Sequence, residues 1–213
     1  MGGVSKLLFK SLNIDPEKED RIVNAALKVF SQNGYQKAST NAIVKEAKIS
    51  KGLLFHYFKS KKDLYLSLSE QLSDLFLEKI YERVDWEESD IFCVLRQIVL
   101  LKFELFKVYP EMTDFLNAVY QETDSEVAGE INRKKEKLIA ESFRKLFANI
   151  DVNKFKESVD VQKSIKIIHW TFEGMGRRNQ ERYKEVPVDQ LDKEEILSEI
   201  DAYIHILKQS FYK

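Results

Sequence analysis

Apolar side chains return after three or four positions along most of this chain, the spacing of one face of an α-helix. The first such segment opens at Asp15-Pro16, an N-cap followed by proline at the first helical position, and carries Ile22, Ala26, Val29 and Phe30 on one side. It is predicted over about residues 16–33, where Asn33-Gly34 supplies a pair that tolerates left-handed backbone and Tyr35 follows as an apolar anchor. Ser39 or Thr40 caps a short second helix with Ile43, Val44 and Ala47 inside, and Lys48-Ile49 makes a tight turn. Ser50 then caps a third helix, Lys51 to Phe58, with Leu54, Phe55 and Phe58 expected inside and Lys51, Leu53, His56 and Tyr57 outside. Ser60-Lys61-Lys62-Asp63 forms a capping box for a long fourth helix with Leu64, Leu68, Leu72, Leu75 and Phe76 at helical spacing.

Further on, helices are expected at about 88–108, from Pro110, at 125–149, at 157–183 and, after a Val186-Pro187 break, at 190–212. The total is nine. Residues 1–14 hold a small amphipathic run, Leu7, Leu8, Phe9 and Leu12, too short to fold alone, and no role is assigned to it. Seven Gly and three Pro among 213 residues agree with an all-α chain rather than with many turn-linked strands.

Composition narrows the function classes. No apolar run approaches the length of a membrane span, and the N-terminus lacks the apolar core and cleavage site of a signal peptide, so a cytoplasmic protein with no membrane partner is expected. The lone Cys93 excludes an internal disulfide and a multi-cysteine zinc site, and it reads as core filler. There is no nucleophile elbow, phosphate-cradling glycine loop or metal-ligand spacing, and His56, His169 and His205 belong to three separate helices. Neither catalytic residues, a metal nor a cofactor is therefore expected.

Charge is unevenly spread. Net charge is −1, yet between Lys37 and Lys62 seven lysines stand against Glu46 alone. Such a cluster is either a solvated face or the footprint of a phosphate binder. Two short helices joined by a tight turn, the second followed at once by basic residues, is a helix-turn-helix arrangement that can place a helix N-terminus in a major groove. Gly52, in the first turn of the third helix, removes a side chain where backbone could approach DNA closely. A helical protein-interaction module with a basic surface is the competing reading.

Over about 45 residues the chain resembles the tetracycline-repressor (TetR) family of bacterial regulators. Ala25-Ala26-Leu27 through Phe30, Asn33-Gly34-Tyr35, Ser39-Thr40, Ile43-Val44, Ala47, Ile49 to Phe58 and Ser60-Lys61 carry the likeness. Lys48 stands in place of the usual turn glycine and Phe55 in place of the common tyrosine. The resemblance implies a nine-helix architecture, with a DNA-binding domain at 15–62 and an effector-binding and dimerisation domain at 63–213. It implies a homodimer that represses transcription from a palindromic operator and is released by a small apolar or amphipathic effector.

Position by position, the resemblance makes Thr40, Tyr57 and Lys61 phosphate contacts and Lys51, Gly52, Leu53 and His56 the base-facing set. Ser50 and Lys61 stand at helix N-termini, where free N–H groups favour anions. The last two helices show narrow apolar seams, Ile165, Ile168, Phe172 and Met175 in one and Ile200, Ile204, Leu207 and Phe211 in the other. Spacing alone fits ordinary core packing; the resemblance makes the seams a four-helix dimer interface. Phe103, Phe106, Tyr109, Phe115, Tyr120, Phe143, His169 and Trp170 are likewise either core or, by the resemblance, lining of the effector cavity.

Overall fold

A computed structural model of the chain describes residues 14–183, 186 and 190–213, so the expected run at Leu7 to Leu12 and Pro187 of the expected break lie outside the described residues. The described residues form nine α-helices: α1 Pro16–Lys37, α2 Thr40–Ala47, α3 Lys51–Tyr57, α4 Lys61–Tyr81, α5 Ile91–Val108, α6 Pro110–Tyr120, α7 Ala128–Leu146, α8 Val161–Arg182 and α9 Lys193–Phe211. The all-α, nine-helix expectation holds. Among the described residues no helix is long and apolar enough to cross a membrane.

Local chemistry explains the boundaries. Asp15 accepts the N–H of Lys18 at 3.2 Å and Pro16 takes the first helical position of α1. At Gly34 the backbone leaves the helix with φ 65° and ψ 179°, where a side chain would be strained, so the expected stop at Asn33-Gly34 is a break followed by one more turn. The cap of α2 is Ser39, whose Oγ accepts the N–H of Asn41 at 3.2 Å. Later helices start a few residues beyond their expected positions because aspartates cap them: Asp160 accepts the N–H of Lys163 and Asp192 that of Glu195.

The chain divides into two compact units, residues 1–79 with 108–137 and residues 80–107 with 138–213. The first unit holds α1, α2, α3, α6 and most of α4. Its centre is aromatic: the Tyr65 ring lies 4.8 Å from Phe30, 5.2 Å from Tyr35 and 5.7 Å from Phe115. Leu27, Ile43, Leu54, Phe58, Leu64 and Leu68 close around them, all buried. Each such side chain contributes roughly 1.5–3 kcal/mol by leaving water, so the short α2 and α3 owe their stability to this core rather than to helix propensity.

The second unit has two apolar clusters. Ile91, Phe92, Phe155, Ile165, Ile168 and Leu207 form one; Phe103, Met175, Ile196 and Ile200 form the other. Arg96 grips Asp201 through two bonds of 2.8 and 3.1 Å, and Lys208 holds Asp90 at 2.7 Å, tying α5 and its N-terminal cap to α9. The C-terminal end is pinned by Lys156 donating to the Phe211 carbonyl at 2.8 Å and Lys213 donating to that of Lys154 at 2.9 Å. Cys93 is half-buried, and burial pushes its thiol pKa up, as a packing residue requires.

Candidate nucleic-acid interface

Helix α3 is held by its inner edge alone. Leu54 and Phe58, four residues apart, are both 1% exposed, and the Phe58 N–H returns to the Leu54 carbonyl at 2.9 Å to end the helix. Ser50 caps the other end by accepting the Leu53 N–H at 3.1 Å. With both ends fixed, the outer side presents Lys51, Gly52, Phe55 and His56, all exposed, while Leu53 and Tyr57 are half-covered.

Phe55 corrects the sequence reading. Expected inside, it is 38% exposed, lying one residue past Leu54 and so about 100° round the helix, and the Lys51 ammonium sits 5.9 Å from its ring centre. The buried stripe of so short a helix has room for two side chains. Tyr57, expected outside, leans on the first unit's core and meets His56 edge-on at 5.1 Å.

The turn before α3 is tight because Lys48 adopts a left-handed conformation, φ 54° and ψ 47°, and returns its N–H to Lys45. It is the only described non-glycine residue with positive φ. Lys45, Lys48, Lys51 and Lys59 are exposed and held in no ion pair among the described residues. Lys62, by contrast, pairs with Glu130 at 2.8 Å. The result is a compact positive surface beside a short helix whose outer face is uncommitted, which suits a polyanion with readable edges.

Lys61 corrects a second expectation. Its ammonium donates to the carbonyls of Tyr35, Gln36 and Ala38 at 2.8, 3.2 and 3.3 Å and lies 4.3 Å from the centre of the Tyr35 ring. All three protons are used to close the end of α1, so the side chain is a clamp inside the unit and does not offer its charge to a phosphate. Thr40 follows the capping serine as the first residue of α2 and is half-exposed.

The expected seam residues turn inward. Ile165, Ile168 and Leu207 fill one core cluster of the second unit, Met175 and Ile200 the other, and Phe172, Ile204 and Phe211 pack against them. Spacing identifies an apolar stripe but not what it faces, and this stripe faces its own chain. The outer sides of α8 and α9 carry different apolar residues, Ile167 at 41%, Trp170 at 62% and Ile206 at 57% exposure.

The aromatic residues expected around an effector do not form one set. Phe103 and Phe106 meet at 6.2 Å, and Phe143 stacks on Phe147 at 4.3 Å and on His169 at 4.6 Å, all within the second unit. His169 also approaches Glu173 at 3.6 Å. Tyr109, Phe115 and Tyr120 belong to the first unit, Phe115 fully buried in its core and the two tyrosines packed on it. Trp170, expected inside, stands outside.

Known proteins share this arrangement. Residues 22–68, the span from α1 into α4, match the family described as bacterial regulatory proteins, tetR family. The uncharacterised HTH-type transcriptional regulator YuxN of Bacillus subtilis is 43% identical over 68 residues, 32% of this chain and 22% of that protein. The matched segments span between 22% and 50% of the length of the curated relatives. Among solved structures, a TetR family regulator from Chloroflexus aurantiacus superposes with a TM-score of 0.67 at 21% identity, covering 94% of this chain and 96% of that one. FadR from Bacillus subtilis, in complex with stearoyl-CoA, gives 0.61 at 20% identity over 84% and 96%. With the helix-turn-helix matched in sequence and the nine helices matched in fold, the chain belongs to the TetR family of bacterial regulatory proteins.

Proposed function

We propose that the chain is a homodimeric, ligand-responsive repressor in which residues 15–62 read a palindromic operator and residues 63–213 bind the effector and dimerise. The uncommitted outer face of α3, with Lys51, Gly52, Phe55 and His56 exposed beside unpaired lysines, carries the DNA-binding part of this reading. Lys51, Gly52, Leu53 and His56 face bases; Thr40, Ser50, Tyr57 and the backbone N–H of Lys61 lie toward phosphates. Phe55, now outward, joins the base-facing set and can meet a thymine methyl group.

Dimerisation is assigned to the outer face of α8 and α9, through Ile167, Trp170 and Ile206, rather than to the inward seams. An exposed tryptophan beside two exposed isoleucines is the kind of apolar patch that a second subunit covers. An apolar or amphipathic effector is supported by the half-covered aromatics of the second unit and by the stearoyl-CoA that the Bacillus subtilis protein holds. Its binding weakens operator affinity, and DNA weakens effector binding by the same factor.

The deciding experiment titrates labelled duplexes tiled across the DNA beside the chain's own gene, at several salt concentrations. One duplex with an inverted repeat should bind at least 1000-fold more tightly than scrambled DNA, on the order expected of a specific regulator. Equal affinity for every duplex would sink the proposal.

A further inference from the structure

On α5, the side chains at 95, 98, 99, 102, 105 and 106 share one face, and all are apolar except Lys102. Leu95, Ile98, Val99 and Phe106 are half-buried and Leu105 is buried, so this face is turned toward protein. Lys102, in the middle of it, nevertheless keeps an open surface. A lysine on the outside of the molecule would be open and fully hydrated, and one wedged into packing would be desolvated and closed. Lys102 combines the remaining possibilities: its surface is open while desolvation by the surrounding protein pulls its ammonium below the usual lysine range. That combination describes a cation standing in an internal hollow. Among the described residues no carboxylate forms an ion pair with it, and desolvation is the whole cause of its shift.

We infer that Lys102 is the seat for the anionic group of an amphiphilic effector whose apolar remainder lies along Leu95, Ile98, Val99 and Phe106. An unpaired cation in such a place costs stability that a methionine or leucine of the same length would not, and an anion delivered by the ligand offsets that cost. The same bond sets selectivity. A neutral ligand of equal length fills the hollow but leaves the ammonium unpaired, whereas a carboxylate or a phosphate satisfies it. This rests on the reading that residues 63–213 take up an effector, and adds its charge.

The test is calorimetric titration of the full chain with laurate, lauroyl-CoA and dodecanol, repeated on Lys102→Met and Lys102→Arg, with operator-duplex affinity measured on the same preparations without ligand. Laurate or lauroyl-CoA should bind the natural chain at least tenfold more tightly than dodecanol; Lys102→Met should abolish that preference and Lys102→Arg retain it. Loss of preference for laurate identifies a carboxylate seat, and loss for lauroyl-CoA alone a phosphate seat. A preference for the anions that survives in Lys102→Met overturns the inference, as does equal binding of all three ligands, or of none, by the natural chain. Operator binding by the ligand-free protein separates these failures from failure of the regulator reading.

Discussion

Glu122, in the segment after α6, accepts the backbone N–H of Tyr35 at 2.8 Å through one carboxylate oxygen. The other oxygen takes the N–H groups of Thr123 and Asp124 at 3.0 and 2.9 Å. One side chain thus organises the end of α6 and completes the chain just after the Gly34 break in α1, on the side opposite the Lys61 clamp. Glu122→Ala should leave the Tyr35 N–H unpaired and cost about 1–3 kcal/mol, and Glu122→Gln, which keeps an acceptor, should cost less. Urea midpoints at constant slope measure both.

Lys48→Gly should raise stability. A side chain in the left-handed region costs roughly 1–2 kcal/mol, and the extra freedom of glycine in the unfolded chain returns part of it. The expected net gain is about 0.5–1 kcal/mol in urea unfolding.

Lys61→Met should act on the fold and not on phosphate recognition. Three carbonyls lose their donor, for a loss of about 1–3 kcal/mol in stability, while the slope of log affinity against log salt stays as in the natural chain. Lys51→Ala should instead flatten discrimination at one base pair of each half-site by roughly 1–3 kcal/mol. Titration of single-base operator variants at several salt concentrations separates the two roles.

Trp170→Asp combined with Ile206→Asp should convert a two-chain particle into the 25.0 kDa chain in sedimentation, with the helical signal unchanged. Ile168→Asp, directed into the core, should unfold the second unit. If the surface pair leaves the dimer intact, the outer face of α8 and α9 is not the interface.

Asp90 makes stability depend on acid. Burial alone would raise its carboxyl, but the Lys208 ammonium at 2.7 Å and the Phe92 N–H outweigh that and hold it below the ordinary aspartate value. A depressed folded-state pKa contributes stability that is fully present above the unfolded value, about 3.9, and lost as pH falls through the folded one. The gap in denaturation midpoint between the natural chain and Asp90→Asn should therefore be constant from pH 7 to about pH 5 and close below about pH 3.9.

Helices, caps and the DNA-facing segment were legible in the sequence because their causes are local. Ser39, Ser50 and Ser60 bond to N–H groups two or three residues away, and a period of 3.6 needs no partner to be seen. The helix-turn-helix was legible as a resemblance for the same reason, being one continuous stretch from α1 into α4. Side chains whose partners are distant in the chain were not. Lys61 reads as a free cation until the end of α1, 23 to 26 residues earlier, is folded against it. Phe55 reads as core until the depth of α3 in its unit is known. The apolar stripes of α8 and α9 were visible, but hydrophobic spacing carries no label for the surface it meets, and only packing sent Ile168 and Leu207 inward and left Trp170 and Ile206 outside. The sequence by itself determined which residues form helices and where they stop; the tertiary structure decided which face of each helix is spent on the chain's own core and which is left for DNA, a second subunit or a ligand, because burial depends on neighbours that the linear order does not name.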